Sequence, residues 1–118
     1  MKKELIIKRY YKLVDKDNVC ELLKLFSDDI IYIRAGKEIR GFKNLDYFYK
    51  KDRKLNGNHK IKKIINSKDL ILVTGNFDGK NSLNKKIKVD FIDIFSFNKN
   101  NKIKRRETYL GEGFEKIK

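Results

Sequence analysis

Apolar side chains recur every three to four residues from position 4 to position 26, which is the spacing of one buried face of an α-helix. The polar run DKDN at 15–18 interrupts this pattern. Asp17 or Asn18 within it can accept hydrogen bonds from the free amide groups that begin a second helix. The pattern therefore predicts two helices, of which the second continues through Phe26 and ends at the polar run SDD.

Farther along the chain, short apolar runs of strand character are separated by polar turns. IIYIR at 30–34 predicts a first strand, the loop AGKEIRGF follows it, and Lys43 or Asn44 begins a third helix. Further strands are predicted at 59–65, 70–77, 87–97 and 103–110, before a polar tail at 111–118. This order predicts an α+β fold, with about three N-terminal helices packed on one face of a curved antiparallel sheet.

The length and composition of the chain fit one domain. With 118 residues, 40% of them hydrophobic, the chain can fill a single core, and we expect residues 1–118 to form one domain. No apolar run approaches the roughly 20 residues that span a bilayer. Cys20 is the only cysteine, so an intrachain disulfide is excluded and a cytoplasmic protein is the simplest expectation.

The net charge of +14 raises the question of nucleic-acid binding. Only six of the 30 basic residues are arginines, and the lysines are spread along the whole chain rather than gathered in one block. The abundance of Lys, Ile and Asn together is typical of A/T-rich codons. We therefore attribute the charge to codon usage and a soluble surface, and we expect no nucleic-acid or membrane partner.

The segment FIDIFSF at 91–97 places an acid among aromatic side chains. Because side chains alternate along a strand, Asp93 shares one face with Phe91, Phe95 and Phe97. These rings would remove water from the carboxyl group, which disfavours its charged form and would raise its pKa. A lone acid on an apolar face is the first candidate for chemistry in this chain.

Three longer strings carry a resemblance to a known family: RYYKLVDKDNVCELLKLFSDDIIY at 9–32, RGFKNLDYFYKKDR at 40–53 and DFIDIFSFNKNNKIKRRETY at 90–109. In content and order they resemble the NTF2-like superfamily, specifically its SnoaL-like polyketide cyclase and ketosteroid isomerase branch. The resemblance implies a cone whose sheet curls around the helices and leaves an apolar pocket at the open end. It also implies a homodimer. Members of this superfamily include enzymes and proteins without catalytic activity, so fold alone does not fix the reaction.

The resemblance assigns roles to individual residues. Asp93 matches the protonated aspartic acid of the isomerases, and Tyr10 matches the tyrosine that shares its oxyanion, although Tyr11 is an alternative. The isomerase base matches Arg34, which cannot accept a proton at neutral pH. Arg34 could instead pair with Asp93 and lower its pKa. Asp93 is thus either a neutral donor or an arginine-paired anion.

The remaining candidates surround this group. His59 is the single histidine, lies where the SnoaL-like branch often has a cavity histidine, and would relay protons, unless it is a surface residue at the edge of a loop. We expect Arg34 to bind substrate, together with the aromatic walls Tyr32, Tyr49, Phe91 and Phe95. One histidine and one cysteine make no metal site, and the motifs GxGxxG and GxxxxGK are absent, so we expect no metal and no nucleotide cofactor.

These observations together predict a small cofactor-independent enzyme with an apolar ligand. It would isomerise or cyclise a carbonyl-bearing metabolite by proton transfer, with Asp93, His59 and Tyr10 as catalytic residues. The alternative is a small-molecule-binding or scaffold domain of the same fold without catalytic activity, which the arginine at position 34 favours.

Overall fold

A computed structural model describes residues 2–111. Within these residues, three α-helices and a π-helical turn pack on one six-stranded sheet, whose strand order is β2-β1-β6-β5-β4-β3. The helices are α1 (Lys2–Asp15), α2 (Val19–Leu23) and α3 (Phe42–Tyr47), and the π-helical turn is Phe48–Asp52. The strands are β1 (Phe26–Arg34), β2 (Lys37–Arg40), β3 (Asn56–Ser67), β4 (Leu70–Lys80), β5 (Lys86–Phe97) and β6 (Ile103–Leu110). The predicted polar tail lies outside the described residues, apart from Gly111.

The sheet is antiparallel except where β1 runs parallel to β6. The ladders between β1 and β6, β3 and β4, and β5 and β6 each contain a shift in register. Such irregularities increase the local twist and bend the strands, so that the sheet curves around the helices. The predicted α+β class, with helices on a curved sheet, is confirmed.

The core fills the concave side of the sheet. Helix α1 places Ile7, Tyr10, Tyr11 and Val14 against it, all of them buried. The inward residues of β5 alternate with exposed ones as the period of two requires. No helix within residues 2–111 is both long enough and apolar enough to cross a membrane.

The second helix is shorter than predicted, and the first strand is longer. Helix α2 ends at Leu23, and β1 already begins at Phe26. The amide of Ile103 donates to the carbonyl oxygen of Leu25 at 2.9 Å, and Phe26 pairs with Ile103 in the parallel ladder. This long-range pairing with β6 overrides the local helical spacing.

The segment that was expected to be a loop contains a short edge strand. β2 pairs with β1 through a two-residue turn, Ala35 and Gly36, in which both residues have positive φ, 48° and 79°. Two positive φ angles are the geometry of a type I′ hairpin. The sequence signal was weak because alanine seldom occupies that conformation.

A π-helical turn follows α3 and shapes the space in front of the sheet. The amide of Arg53 donates to the carbonyl oxygen of Phe48 at 2.8 Å, five residues back, which widens the helix by one residue. Phe48 and Tyr49 are buried, and Arg53 is left half-buried where the turn ends. The turn therefore contributes one buried phenol, Tyr49, and one arginine, Arg53, to the space in front of the sheet.

Candidate active site

A hollow lies between α1, the π-helical turn and the concave face of the sheet. Its charged or ionisable lining residues are Arg34, Arg53, His59, Asp93 and Arg106. Its hydroxyl groups come from Tyr10, Tyr32, Tyr49 and Thr108. Its apolar walls are Val14, Leu55, Phe77, Val89, Phe91 and Leu110. Polar side chains thus outnumber apolar ones by nine to six, so the hollow has several groups that could orient a small molecule.

The hollow is narrow. It contains about 480 Å³ of empty space out to its open mouth, and about 40 Å³ admits the centre of a water molecule. One water needs about 10–15 Å³ by the second measure, so the deep part has room for only a few waters. A metabolite-sized ligand therefore needs outward movement of side chains at the mouth.

Asp93 is fully buried on the inner face of β5, and its two oxygens accept hydrogen bonds from three groups. Tyr11 donates to Oδ2, Thr108 donates to Oδ1, and a guanidinium NH₂ of Arg106 donates to Oδ2 at 2.9 Å. Arg106 and Thr108 lie on β6, where Thr108 is paired with Asp93 itself. The buried acid is thus held by an ion pair and two hydroxyl donors, which offset the loss of water.

The partner of Asp93 is Arg106, not Arg34 as one sequence alternative proposed. Arg34 instead stacks its guanidinium on the ring of Phe48, 5.4 Å from the centroid, at the edge of the hollow. With three donors directed at its carboxylate, Asp93 has the geometry of an arginine-paired anion rather than of a neutral donor.

Arg106 lies between two tyrosine rings. Its guanidinium carbon is 4.7 Å from the ring centroid of Tyr10 and 4.6 Å from that of Tyr32. Burial opposes its charge, but the Asp93 carboxylate and the neighbouring phenols outweigh burial and raise the pKa of Arg106 well above its usual range. Its Nε has no hydrogen-bond partner among the described residues. Arg106 is therefore a permanent cation inside the hollow.

Two phenols meet beside this cation. The hydroxyls of Tyr10 and Tyr49 are 2.8 Å apart, and Arg106 donates to both. Each phenol has one proton to donate, and their mutual hydrogen bond uses one of the two. Within residues 2–111 the other proton has no acceptor, whichever way the pair is oriented. The pair thus has one O–H available to a ligand.

Burial keeps both phenols protonated. It raises the pKa of Tyr10 well above its usual range and also raises that of Tyr49, and the opposing effect of Arg106 does not cancel it. The hydroxyl of Tyr32, by contrast, is engaged by Thr108 at 3.2 Å, and that of Tyr11 donates to Asp93. Among the hydroxyl groups of the hollow that the structure describes, the pair formed by Tyr10 and Tyr49 is therefore the one with a proton to donate.

His59 on β3 forms a partly buried dyad with Asp15, the last residue of α1, with side chains that are 10% and 15% exposed. Nδ1 lies 2.5 Å from Asp15 Oδ1, and the backbone amide of His59 donates to Oδ2 at 2.9 Å. A carboxylate can only accept, so Nδ1 carries the proton and a neutral ring has its lone pair on Nε2. Nε2 has no hydrogen-bond partner among the described residues. Burial lowers the pKa of His59, partly opposed by Asp15.

The hollow brings together most of the predicted site residues. It is lined by Asp93, His59, Tyr10, Arg34, Tyr32, Phe91 and Tyr49. Phe95 was expected to bind substrate, but it is fully buried beneath the site and packs edge-on against the rings of Tyr10 and Tyr11. Because those two rings cover it, Phe95 supports the site and does not line it.

The site predicted from the sequence did not include Asp15, Arg53, Arg106 or Thr108. Arg106 and Thr108 had a signal, because Arg105, Glu107 and Tyr109 share the opposite face of β6 and alternation turns their neighbours inward. Asp15 had none, since it lies 44 residues from His59 in the chain. No group of three or more His, Cys, Asp or Glu that could hold a metal ion occurs between residues 2 and 111.

A family model described as "SnoaL-like domain" matches residues 7–106, which is most of the chain. The chain belongs to the SnoaL-like domain family. Its recognition from sequence as SnoaL-like and NTF2-like is confirmed by this match and by solved structures. No curated protein matches the sequence.

Solved structures similar to this SnoaL-like chain share its fold at low identity. A putative SnoaL-like polyketide cyclase from Shewanella denitrificans OS-217 has a TM-score of 0.83 and 13% identity, covering 98% of this chain and 95% of its own. SalBIII, an epoxide hydrolase/cyclase-like enzyme with a role in pyran ring formation in polyether salinomycin, has a TM-score of 0.82 and 16% identity over 94% and 92%. An NTF2-like protein of unknown function from Exiguobacterium sp. 255-15 has a TM-score of 0.80 and 22% identity over 91% and 98%.

Proposed function

We propose that this SnoaL-like chain is a cofactor-independent enzyme that moves a proton on a carbonyl-bearing small molecule, as an isomerase or a cyclase does. The observation that carries the proposal is that one hollow is lined by both His59 and the pair formed by Tyr10 and Tyr49, which has a proton without an acceptor among the described residues. His59 Nε2 is the base, and the pair formed by Tyr10 and Tyr49 is the donor. The fold relationship to a cyclase-like enzyme and to putative cyclases supports the reaction class.

The proposed base is neutral and oriented. Because burial lowers the pKa of His59, its ring is unprotonated near neutral pH and can accept a proton from the carbon next to a carbonyl. Asp15 fixes the tautomer and would stabilise the imidazolium that forms. A base whose charge appears only during the reaction favours the transition state over the ground state.

The proposed electrophile is the phenol pair supported by Arg106. Removing a proton next to a carbonyl places negative charge on the carbonyl oxygen. The free O–H of Tyr10 or Tyr49 would donate to that oxygen, with the Arg106 cation directly behind the phenols. Donors held in place in a site with little water stabilise such charge strongly.

Asp93 acts in this proposal as the fixed counter-charge of Arg106. Its oxygens are occupied by three donors, so its role is to hold Arg106 and, through Tyr11 and Thr108, the neighbouring walls. Tyr32 and Phe91 line the hollow and would contact the substrate ring or chain. Every polar group that lines the hollow, except Arg34 and Arg53, thus has a role in the proposed reaction.

The test is deuterium exchange at the carbon next to the carbonyl in a panel of aryl ketones and β-keto esters, followed by ¹H NMR in D₂O. His59→Gln is expected to slow exchange by about 10²-fold or more. Tyr10→Phe and Tyr49→Phe should each have a small effect, because either phenol alone keeps a free proton, whereas the double variant should lose about 10²–10³-fold. Tyr47→Phe is the matched control, since Tyr47 is exposed and outside the hollow.

The alternative is a binding domain without catalytic activity. The narrow hollow and the arginine at the position of the isomerase base favour it. Absence of exchange across the panel, together with retained binding of the same compounds, would establish the alternative. Exchange that is unchanged in His59→Gln would show that the proposed base is wrong.

We also propose a homodimer formed through the convex face of the sheet. That face exposes Ile65, Ile92 and Tyr109, at 45%, 43% and 53%, with Leu72 and Ile94 between them. Adjacent large apolar groups on one sheet face mark an interaction surface. We propose separately that the protein is cytoplasmic, because a single unpaired cysteine is common in proteins of that compartment.

A further inference from the structure

Two arginines differ from all the others in what surrounds them. Four of the six arginines form ion pairs with an acid, namely Arg9 with Glu21, Arg40 with Glu38, Arg105 with Glu107 and Arg106 with Asp93. Arg34 and Arg53 have no acidic partner among residues 2–111. Both line the hollow. The arginines without counter-charge are therefore found at the candidate site and not on the general surface.

Each of these two guanidinium groups rests on an aromatic ring. Arg34 lies over Phe48 at 5.4 Å, and Arg53 lies over Phe77 at 5.8 Å with one NH₂ donating to the carbonyl oxygen of Leu55 at 3.3 Å. Stacking occupies the flat face of a guanidinium and leaves its N–H edges available. Both side chains are half-buried, so a ligand that met them would be partly removed from water.

The residues that line the hollow carry more positive than negative charge. Its walls contain three guanidinium groups and one carboxylate, Asp93, which is already paired with Arg106. His59 adds a neutral ring. Two positive charges thus remain in a partly enclosed space where electrostatic interactions are stronger than in bulk water.

We propose that the ligand of this hollow carries a carboxylate, which Arg34 and Arg53 bind. The planar guanidinium edge matches the two oxygens of a carboxylate, so such a group would be held in a fixed orientation. If the proposed proton transfer is correct, the carboxylate belongs to the same molecule as the carbonyl and orients it between His59 and the phenol pair. The carboxylate site itself depends only on the two arginines.

The test compares 3-phenylpropanoate with 3-phenylpropanamide, which have the same shape and differ in charge. Binding is measured by ¹H–¹⁵N NMR titration of the labelled full chain, including the Nε–H signals of the arginines, at fixed ionic strength near 0.1 M. We expect the carboxylate to bind about tenfold more tightly than the amide or better. Arg34→Gln and Arg53→Gln should each remove about tenfold from carboxylate affinity and leave the amide unchanged.

Two controls make the result specific. Arg40→Gln removes the same charge from β2, the strand next to that of Arg34. Arg40 is exposed, pairs with Glu38 and lies outside the hollow. The affinity of the Arg40→Gln variant for the carboxylate should therefore match that of the parent chain. His59→Gln should keep the preference for the carboxylate, which separates failure of this site from failure of the proposed catalysis. Equal binding of acid and amide, no binding of the acid at millimolar concentration, or unchanged binding in both arginine variants would overturn the carboxylate site.

Discussion

Replacing Asp93 by asparagine tests whether the buried acid is an arginine-paired anion. The substitution keeps the shape of the side chain but leaves the Arg106 cation without its counter-charge in a site where both side chains are almost fully buried. It also turns an NH₂ group toward donors, because Tyr11, Thr108 and Arg106 all donate to the carboxylate. Both effects act in the same direction.

The expected loss is large compared with the stability of a small domain. Removing one member of a buried ion pair costs about 3–5 kcal/mol. A typical domain has about 5–15 kcal/mol in total, so Asp93→Asn should fold but with a much lower urea midpoint. A neutral, protonated Asp93 would instead be nearly isosteric with asparagine and would cost only about 1 kcal/mol.

The assay is urea unfolding followed by far-ultraviolet circular dichroism, for Asp93→Asn, Arg106→Gln and the double variant. The free energy of unfolding of the double variant should fall by less than the sum of the two single losses, with a difference of at least about 1 kcal/mol. The reason is that the double variant has no buried charge without a partner. Asp78→Asn is the control, since its partner Lys60 is 3.9 Å away on the exposed surface and the change should cost about 0.5 kcal/mol or less. A loss below about 1 kcal/mol in Asp93→Asn, or strict additivity, would refute the ion pair.

Two further predictions concern the acid side of the pH range and the convex face of the sheet. Burial lowers the pKa of His59 in the folded chain, so the unfolded chain binds a proton on this ring more tightly. Protonation of His59 therefore does not reduce the stability of the folded chain above about pH 6.5. Below that pH the stability falls until the folded-state pKa is reached. Urea midpoints between neutral and mildly acidic pH should therefore fall more steeply for the parent chain than for His59→Gln, and equal slopes would contradict the buried neutral ring. If the dimer forms, light scattering coupled to size exclusion should give twice the monomer mass of 14.1 kDa for the parent chain. The Ile92→Asp variant should give the monomer mass. A monomeric parent chain at high concentration would exclude this interface.

The fold could be predicted from local patterns wherever neighbouring residues decided the conformation. The alternation in FIDIFSF correctly placed Asp93 inside β5, and 103–110 are the residues of β6. The prediction was wrong at Phe26, where pairing with a strand almost 80 residues away outweighed helical spacing. The prediction of a loop at β2 was also wrong, because the turn before β2 needs positive φ angles at both Ala35 and Gly36, and alanine gives no sequence signal for that conformation.

Some polar groups of the hollow could likewise be predicted from local sequence patterns, and others could not. Arg106 could have been placed inside the sheet from the shared outer face of Arg105, Glu107 and Tyr109. Its pairing with β5 could not, because that ladder shifts register between Ser96 and Phe97. The dyad of Asp15 and His59 could not, since it forms only after α1 has packed across β3. The free phenol proton is equally invisible in the sequence, because it depends on which hydroxyls meet around Arg106. Tertiary packing decides these contacts.

The tautomer and charge of the His59 ring in the folded chain decide whether His59 can act as the base. His59 is the single histidine, so a long-range ¹H–¹⁵N spectrum of the ring contains one set of signals. We predict a neutral ring near neutral pH, protonated on Nδ1 beside Asp15 and unprotonated on Nε2. A ring protonated on Nε2, or a charged ring at that pH, would contradict the assignment of His59 as the base.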